Sequence, residues 1–360
     1  MNIFKKSLDK VKPYVPGKPI EEVKRALGLG EVYKLASNEV PFPPSYIRKA
    51  INDEIKNINR YPEASCFYLR KELARQLGVS DNQIVFGNGS DELISLALRS
   101  IIEDGDEVII AQPTFLIYEI QAIACNAEIK RVPLKNFCYD LNAMAEAVTK
   151  KTKIIFIANP DNPTGTYLNH KQVGVFLSKI PKNILLFFDE AYFEFAPGDF
   201  PQTKKFLKNR GNIIFSRTFS KIYGLAGLRL GYAITSVEIA EGLDKIREPF
   251  NINRFAQVAA LAGIKDKSFI KKVLPYIKKE KEYFYREMDK LGLVYVKSAT
   301  NFIFVNFKQD TLKLNDYLLK NGVIIRELTG WGLKNCFRVT VGLRKENKKF
   351  IGCLKNYLKQ

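Results

Sequence analysis

The chain has 360 residues, of which 46% are hydrophobic and 26% are charged, values that are ordinary for a globular protein with two domains. No apolar run approaches the roughly 20 residues that a membrane-spanning helix needs, and the N-terminus lacks the apolar segment of a secretory signal, so we expect a cytoplasmic protein with no membrane partner. The five cysteines form no Cys-x-x-Cys pair, and the single histidine excludes a histidine triad or a multi-histidine metal site.

The formal net charge of +19 would suit a nucleic-acid partner. The lysines, however, are spread over the solvated faces of predicted helices, as in residues 267–282, and the chain has no arginine-rich arm and no zinc-finger spacing. A lysine-rich composition or attraction of anionic substrates accounts for the charge equally well. We therefore expect no nucleic acid among the partners.

Three regions are predicted along the chain. Residues 1–40 are expected to form an N-terminal arm that joins a small domain, with a short helix at 20–28. Residues 41–250 are expected to form a large domain, which begins with helices at 45–56 and 65–78. Residues 251–360 are expected to form a smaller α+β domain, with a long amphipathic helix at 267–291.

From Gln83 onward, short β-branched runs alternate with helical segments. Several of these runs are apolar on both faces, which is typical of parallel strands covered by helices. We predict an α/β fold whose large domain holds a mostly parallel seven-stranded sheet. The predicted strands are 84–86, 108–111, 129–132, 154–158, 184–188, 213–215 and 232–235.

The stretch 216–232 combines Lys221 with Thr218, Ser220 and Arg229. A lysine among apolar neighbours is available as a neutral nucleophile. Two hydroxyls and a forked guanidinium suit a phosphate monoester. This combination indicates pyridoxal 5′-phosphate, whose aldehyde forms a Schiff base with lysine. Taken alone, the same residues are equally compatible with a surface lysine in a glycine-rich turn.

Other strand ends carry suitable residues, and sites in open α/β sheets lie at the carboxyl ends of strands. Ser90 and Asp91 begin a helix whose free N–H groups suit a phosphate, although an ordinary capped helix would look the same. Phe115 could stack on a flat ring, although core packing is the simpler explanation.

Two further strand ends are more specific. The turn Asn159-Pro-Asp-Asn-Pro-Thr-Gly165 directs Asn159 and Asn162 to one spot, although a purely structural turn is an alternative. Asp189 ends a buried strand, where a carboxylate needs a partner such as a protonated pyridine nitrogen. Tyr192, three residues later, could bind the phenolic oxygen of the same ring.

These motifs resemble those of fold-type I pyridoxal-phosphate enzymes, and most closely those of the histidinol-phosphate aminotransferase family. The resemblance extends from Pro13 to Arg344. The segments that carry it are 87–92, 159–165, 189–192, 220–231, 248–253 and 322–342.

The resemblance implies a homodimeric aminotransferase of histidine biosynthesis that uses pyridoxal 5′-phosphate and no metal. It implies that Lys221 binds the cofactor and moves a proton between the substrate Cα and the cofactor C4′. Asp189 would pair with the pyridine nitrogen, Asn162 and Tyr192 would hold the phenolic oxygen, and Phe115 would stack on the ring. The residues implied around the phosphate are Ser90, Asp91, Thr218, Ser220, Arg229 and Tyr61 of the partner subunit.

The resemblance also implies a substrate pocket. Arg338 would anchor either the carboxylate of glutamate or the phosphate of histidinol phosphate, because a forked cation suits both. Arg326 and Tyr14 would help to define the pocket, although a surface arginine and a packed tyrosine are equally compatible with the sequence. Val40 and Pro43 stand where the family usually has asparagine and glycine, near the substrate entrance.

The predicted reaction converts histidinol phosphate and 2-oxoglutarate to imidazole-acetol phosphate and glutamate. Within the same superfamily, an aromatic amino-acid aminotransferase and a threonine-phosphate decarboxylase are alternatives. A basic regulator that senses pyridoxal phosphate or binds nucleic acid is an alternative from a different class.

Overall fold

The computed structural model describes residues 3–360. In its N-terminal part the helices lie where the sequence predicts them, although each helix is shorter than predicted. The first helix begins after Pro19 and ends at Gly28, whose φ of 65° stops the helix in the left-handed conformation. The elements are α1 (Ile20–Leu27), β1 (Tyr33–Lys34), α2 (Ile47–Glu54) and α3 (Phe67–Leu77).

The predicted seven-stranded sheet is confirmed, in the order β2-β8-β7-β6-β5-β3-β4. Strand β8 is antiparallel to both of its neighbours, and all other pairs are parallel. The strands are β2 (Ile84–Gly87), β3 (Glu107–Gln112), β4 (Glu128–Pro133), β5 (Thr152–Ala158), β6 (Leu185–Asp189), β7 (Ile213–Thr218) and β8 (Gly231–Ile234).

Helices cover the sheet because its strands are apolar on both faces. Val85 packs in one hydrophobic cluster and Phe86 in another, as expected where successive side chains point to opposite faces. The helices along this part of the chain are α4 (Ser90–Ile101), α5 (Leu116–Ala124), α6 (Leu141–Glu146), α7 (His170–Lys179), α8 (Thr203–Asn209), α9 (Val237–Asp244) and α10 (Arg254–Lys265).

The C-terminal part has a core of its own, in which Phe284, Phe337 and Phe350 are fully buried. Its four-stranded antiparallel sheet has the order β12-β13-β10-β9. The elements are α11 (Ser268–Lys290), β9 (Val294–Tyr295), β10 (Phe302–Asn306), α12 (Thr311–Lys320), β11 (Val323–Ile324), β12 (Arg326–Leu328), β13 (Leu333–Thr340) and α13 (Arg344–Tyr357).

The apolar run at 323–326 contributes to two different strands. β11 pairs in parallel with β1 of the N-terminal part, whereas β12 pairs with β13. The chain divides at Ile325 because its two halves have different partners. The N-terminal part is thereby joined to the C-terminal unit by backbone hydrogen bonds such as that from Tyr33 N–H to Gly322 O (2.8 Å).

The domain limits remain a prediction. Helix α10 packs against α2 and α3. Its side chains Ala256 and Ile264 belong to the hydrophobic cluster that includes residues of α3, β2 and β8, and not to the core of the C-terminal unit. This packing favours a boundary after α10, one helix later than residue 250. No helix in the described part of the chain is long and apolar enough to cross a membrane.

Candidate active site

A cavity of about 370 Å³ lies where the carboxyl ends of β5, β6 and β7 meet the start of α4, the segment 36–38 and β13. Parallel strands bring these ends to the same edge of the sheet. Most of the predicted site residues line this cavity. They are Tyr14, Ser90, Asp91, Phe115, Asn162, Asp189, Tyr192, Thr218, Ser220, Lys221, Arg229 and Arg338.

Asp189 is the last residue of β6 and is buried. Its carboxylate accepts hydrogen bonds from the Tyr118 hydroxyl (2.7 Å) and from the Ala191 backbone N–H (3.1 Å). Burial raises the pKa of Asp189 to about 6, although the Tyr118 bond acts in the opposite direction. A cationic partner would offset the cost of its ionisation, and this suits a protonated ring nitrogen.

Lys221 lies in the loop after β7 and lines the cavity, where its amine contacts the N-terminal part. Its Nζ donates to the backbone carbonyl of Ser37 (3.4 Å) and lies 5.6 Å from the centre of the Tyr192 ring. Tyr192 is buried, and its ring packs edge-on against Phe302. The amine and the phenol thus share one wall of the cavity.

Hydrogen-bond donors suited to a phosphate meet at the N-terminus of α4. Arg229 lies 3.3 Å from Asp91 and 3.4 Å from the Ser220 hydroxyl, with its side chain 46% exposed. Gly89 precedes the helix with φ 78°, and a Cβ there would collide with the Arg229 guanidinium. Ser90 and Asp91, the first residues of α4, line the cavity beside this guanidinium, and the first N–H groups of a helix have no partner within the helix. The donor set therefore fits a phosphate group.

Phe115 and Thr218 complete this side of the cavity. Phe115 packs edge-on against Tyr118, with ring centres 5.5 Å apart. The Thr218 hydroxyl accepts from the Ser220 N–H (3.1 Å), which fixes the loop that carries Lys221. A flat aromatic ring whose nitrogen faces Asp189 would have Phe115 among its neighbours in this cavity.

Arg338 lies on β13 and is buried at the opposite end of the cavity. It donates to the Ala36 carbonyl (2.7 Å) and to the Asn162 side-chain oxygen, and it lies over the Phe302 ring. Burial lowers the pKa of Arg338 to about 10, so the guanidinium stays charged at neutral pH. Because Asn162 accepts from Arg338 through its oxygen, its amide N–H groups remain for another partner.

Two predicted residues do not line the cavity. Tyr61 is 78% exposed and stacks on Phe250, with ring centres 4.8 Å apart. Arg326 donates to the Val15 carbonyl (2.7 Å) and lies over the rings of Tyr14 and Trp331. Arg326 therefore affects the cavity indirectly, through its contact with Tyr14, which lines the cavity. The roles predicted for both residues remain predictions.

Two buried residues at the site had not been singled out from the sequence. Tyr118 lies three residues after Phe115, on the first turn of α5, and binds Asp189. Asn38 donates to the Tyr192 hydroxyl (2.8 Å) from the segment next to Val40. The only signal for Asn38 was its place in the stretch Ser37-Asn-Glu-Val-Pro-Phe-Pro43.

A mostly parallel seven-stranded sheet, with an aspartate ending β6 and a lysine after β7 at one cavity, defines the class as a fold-type I aminotransferase. The family model described as aminotransferase class I and II matches residues 30–353. The histidinol-phosphate aminotransferase of Moorella thermoacetica is 42% identical over 351 residues, covering 97% of this chain and 91% of that protein. Histidinol-phosphate aminotransferase 2 of Haemophilus influenzae (strain 86-028NP) is 42% identical and covers 100% and 99% of the two chains.

Solved structures agree. The histidinol-phosphate aminotransferase from Sinorhizobium meliloti, in complex with pyridoxal-5′-phosphate, superposes with a TM-score of 0.92 at 28% identity, covering 100% of this chain and 98% of that one. The Clostridium acetobutylicum enzyme of the same name superposes with a TM-score of 0.84 at 29% identity, covering 91% and 99%. The chain belongs to the class I and II aminotransferases and, within them, to the histidinol-phosphate aminotransferase family.

Proposed function

We propose that this enzyme transfers an amino group between histidinol phosphate and 2-oxoglutarate, with pyridoxal 5′-phosphate held in the cavity. The observation that carries the proposal is the placement of Lys221, Asp189 and Arg338 around one cavity of about 370 Å³. We further propose that it acts in the cytoplasm as a homodimer and without a metal. The full-length similarity to histidinol-phosphate aminotransferases supports the substrate.

The cofactor would be held by residues on three sides. Its phosphate would meet Arg229, Ser220 and the N-terminus of α4, and its ring nitrogen would face Asp189. When bound, pyridoxal phosphate supplies an electron sink for the carbon that loses its proton. An ionised Asp189 would keep the ring nitrogen protonated, because a nearby carboxylate stabilises its positive charge. The Tyr192 hydroxyl and the Asn162 amide would donate to the phenolic oxygen of the ring.

The substrate would be oriented by the other end of the cavity. Arg338 presents a charged fork, already held by Ala36 and Asn162, so that little side-chain freedom is lost on binding. A carboxylate and a phosphate both offer paired oxygens to this fork. The Lys221 amine would then carry the proton from the substrate Cα, on the Tyr192 side of the cavity.

The first experiment is a half-reaction without an amino acceptor. The protein loaded with pyridoxal phosphate is mixed separately with histidinol phosphate, phenylalanine or O-phosphothreonine, and its absorbance is followed. Rapid conversion by histidinol phosphate alone is the expected result. Equal or faster conversion by phenylalanine would indicate an aromatic aminotransferase instead, and release of carbon dioxide from O-phosphothreonine would indicate a decarboxylase.

The role of Lys221 is tested by Lys221→Ala. Removing the amine removes both the covalent link to the cofactor and the proton carrier, so we expect turnover to fall by at least about 10²-fold. Borohydride reduction of the wild-type protein should label the peptide that contains Lys221, as seen by mass spectrometry, and leave the variant unlabelled. An unchanged rate in a correctly folded variant would refute the assignment.

A further inference from the structure

Three consecutive residues of the N-terminal part contact three of the proposed site residues. The carbonyl of Ala36 accepts from Arg338, the carbonyl of Ser37 accepts from Lys221, and the side chain of Asn38 donates to Tyr192. These residues therefore contact both the proposed substrate anchor and two residues of the proposed cofactor site. We call residues 36–38 the bridging segment.

Asn38 is the most firmly held residue of the bridging segment. It is 2% exposed and has a φ of 57°, in the left-handed region that asparagine tolerates better than most residues. Its backbone N–H donates to the Thr340 hydroxyl (2.9 Å), and its carbonyl accepts from the Asn301 amide (2.9 Å). Both partners belong to the C-terminal unit, at the end of β13 and before β10.

The pattern of hydrogen bonds fixes the direction of the Asn38 side chain. Thr340 accepts the Asn38 N–H, so its own hydroxyl proton is free, and it donates to the Asn38 side-chain oxygen (3.1 Å). The amide nitrogen of Asn38 must then face Tyr192, to which it donates (2.8 Å). An oxygen that accepts from an amide directs its own proton elsewhere. For Tyr192 this direction is into the cavity that its side chain lines.

We propose that Asn38 is a positioning residue that makes the Tyr192 hydroxyl a hydrogen-bond donor toward the cavity. This inference rests on the proposed function, in which the Tyr192 hydroxyl donates a hydrogen bond to the phenolic oxygen of the cofactor. Because Thr340 and Asn301 hold Asn38, the donor direction of Tyr192 depends on the bridging segment being seated against the C-terminal unit. Asn38 itself touches neither the substrate nor the reacting atoms in this assignment.

Two substitutions at residue 38 separate the hydrogen bond from the backbone. Asn38→Gly removes the amide and keeps the left-handed conformation without strain. Asn38→Asp keeps the shape and the conformation, but a carboxylate can only accept. The Tyr192 hydroxyl would then donate its hydrogen bond to residue 38 instead of into the cavity. Tyr192→Phe removes the phenol and serves as the matched control.

The main readout is the pH midpoint of the absorbance change of the bound cofactor. A donor to the phenolic oxygen stabilises its anion, so losing the donor raises this midpoint. We expect upward shifts in Asn38→Gly and Tyr192→Phe, and a larger one in Asn38→Asp. In Asn38→Gly we expect kcat/KM to fall about tenfold, the usual weight of one oriented hydrogen bond.

The double variant Asn38→Gly with Tyr192→Phe distinguishes positioning from a general structural role. If Asn38 acts through Tyr192, the double variant has the midpoint of Tyr192→Phe alone. Additive shifts would overturn the proposal, as would a midpoint in Asn38→Asp equal to that of the wild type. If the wild-type protein takes up no pyridoxal phosphate, the proposed function itself fails, which is a different result from any of these.

Discussion

At the scale of single residues, Asp161 shows how a buried charge can serve a site that it does not touch. It is fully buried directly before Asn162. Thr164 donates to its carboxylate through the backbone N–H (3.1 Å) and the hydroxyl (2.8 Å), and Thr114 donates to the other oxygen (2.9 Å). These bonds fix the turn 159–165 from behind, so that Asn162 is presented to Arg338 and to the cavity.

Asp161 should make the stability of the protein depend on pH. Burial raises its pKa to about 6, above the value of about 4 in an unfolded chain. A raised pKa contributes stability that is complete below about pH 4 and is lost as the pH rises through about 6. The two pH units correspond to about 3 kcal/mol in the free energy of unfolding.

We therefore expect Asp161→Asn to weaken the pH dependence of the free energy of unfolding. Urea unfolding between pH 4.5 and 7.5, followed by circular dichroism without cofactor, measures it. The variant should be less stable at low pH, since an NH2 group that cannot accept replaces one of the two oxygens that bind Thr164 and Thr114, but its stability should fall less with rising pH. Asp189 is raised in the same direction and is present in both proteins, so parallel curves would contradict the assignment.

At the scale of elements, the site depends on the close contact between β8 and the start of α4. Gly231 pairs with Gly87 across β8 and β2, and a Cβ on Gly231 would lie 2.6 Å from the Ser90 nitrogen and 2.8 Å from the Gly89 carbonyl carbon. The Gly89 N–H in turn donates to the Arg229 carbonyl (3.0 Å). The glycine thus allows the proposed phosphate donors to come together.

Gly231→Ala should separate these elements. The added methyl group meets backbone that cannot rotate away, so we expect a loss of about 1–3 kcal/mol in the free energy of unfolding and weaker binding of pyridoxal phosphate. Thermal unfolding and a fluorescence titration with the cofactor measure the two effects. Gly227→Ala is the matched control, because its Cβ would meet nothing within 4 Å. Equal behaviour of the two variants would contradict the packing argument.

At the scale of the whole molecule, exposed apolar side chains include several at and near Tyr61. Ile58 and Tyr61 are 68% and 78% exposed, and Tyr61 stacks on Phe250, which is also exposed. Large apolar side chains grouped in this way are typical of protein interfaces. A homodimer that covers this surface would allow Tyr61 to reach the partner's cavity, as the resemblance to the family implies.

A mixing experiment tests that arrangement. Tyr61→Phe removes one proposed donor to the phosphate. Lys221→Ala inactivates the site of the subunit that carries it. If Tyr61 acts across the interface, a hybrid dimer of the two variants contains one complete site, with Lys221 from one subunit and Tyr61 of the partner subunit. We expect co-refolded mixtures to exceed the summed activities of the separate variants. Activity equal to the sum, in a protein that sediments as a dimer, would place Tyr61 in its own subunit's site.

Much of this architecture is determined by local sequence. Strands such as 154–158 and 184–188 are apolar on both faces, and this pattern requires a sheet that is covered on both sides. Once the sheet is parallel, the residues that follow its strands must meet at one edge. Asp189, Asn162 and Lys221 could therefore be grouped from the sequence, because strand order alone brings them together.

The tertiary structure decided what depends on contacts between distant segments. Asn38 meets Thr340 across 302 positions of the chain, and no periodicity or turn signal links the two. The division of residues 323–328 into two strands follows from their pairing with β1 and β13. Arg326 is held outside the cavity by Val15 and Tyr14 of the arm. Local sequence determines strands, helices and the residues at their ends, whereas the direction of a hydrogen bond between remote segments exists only once the chain has folded.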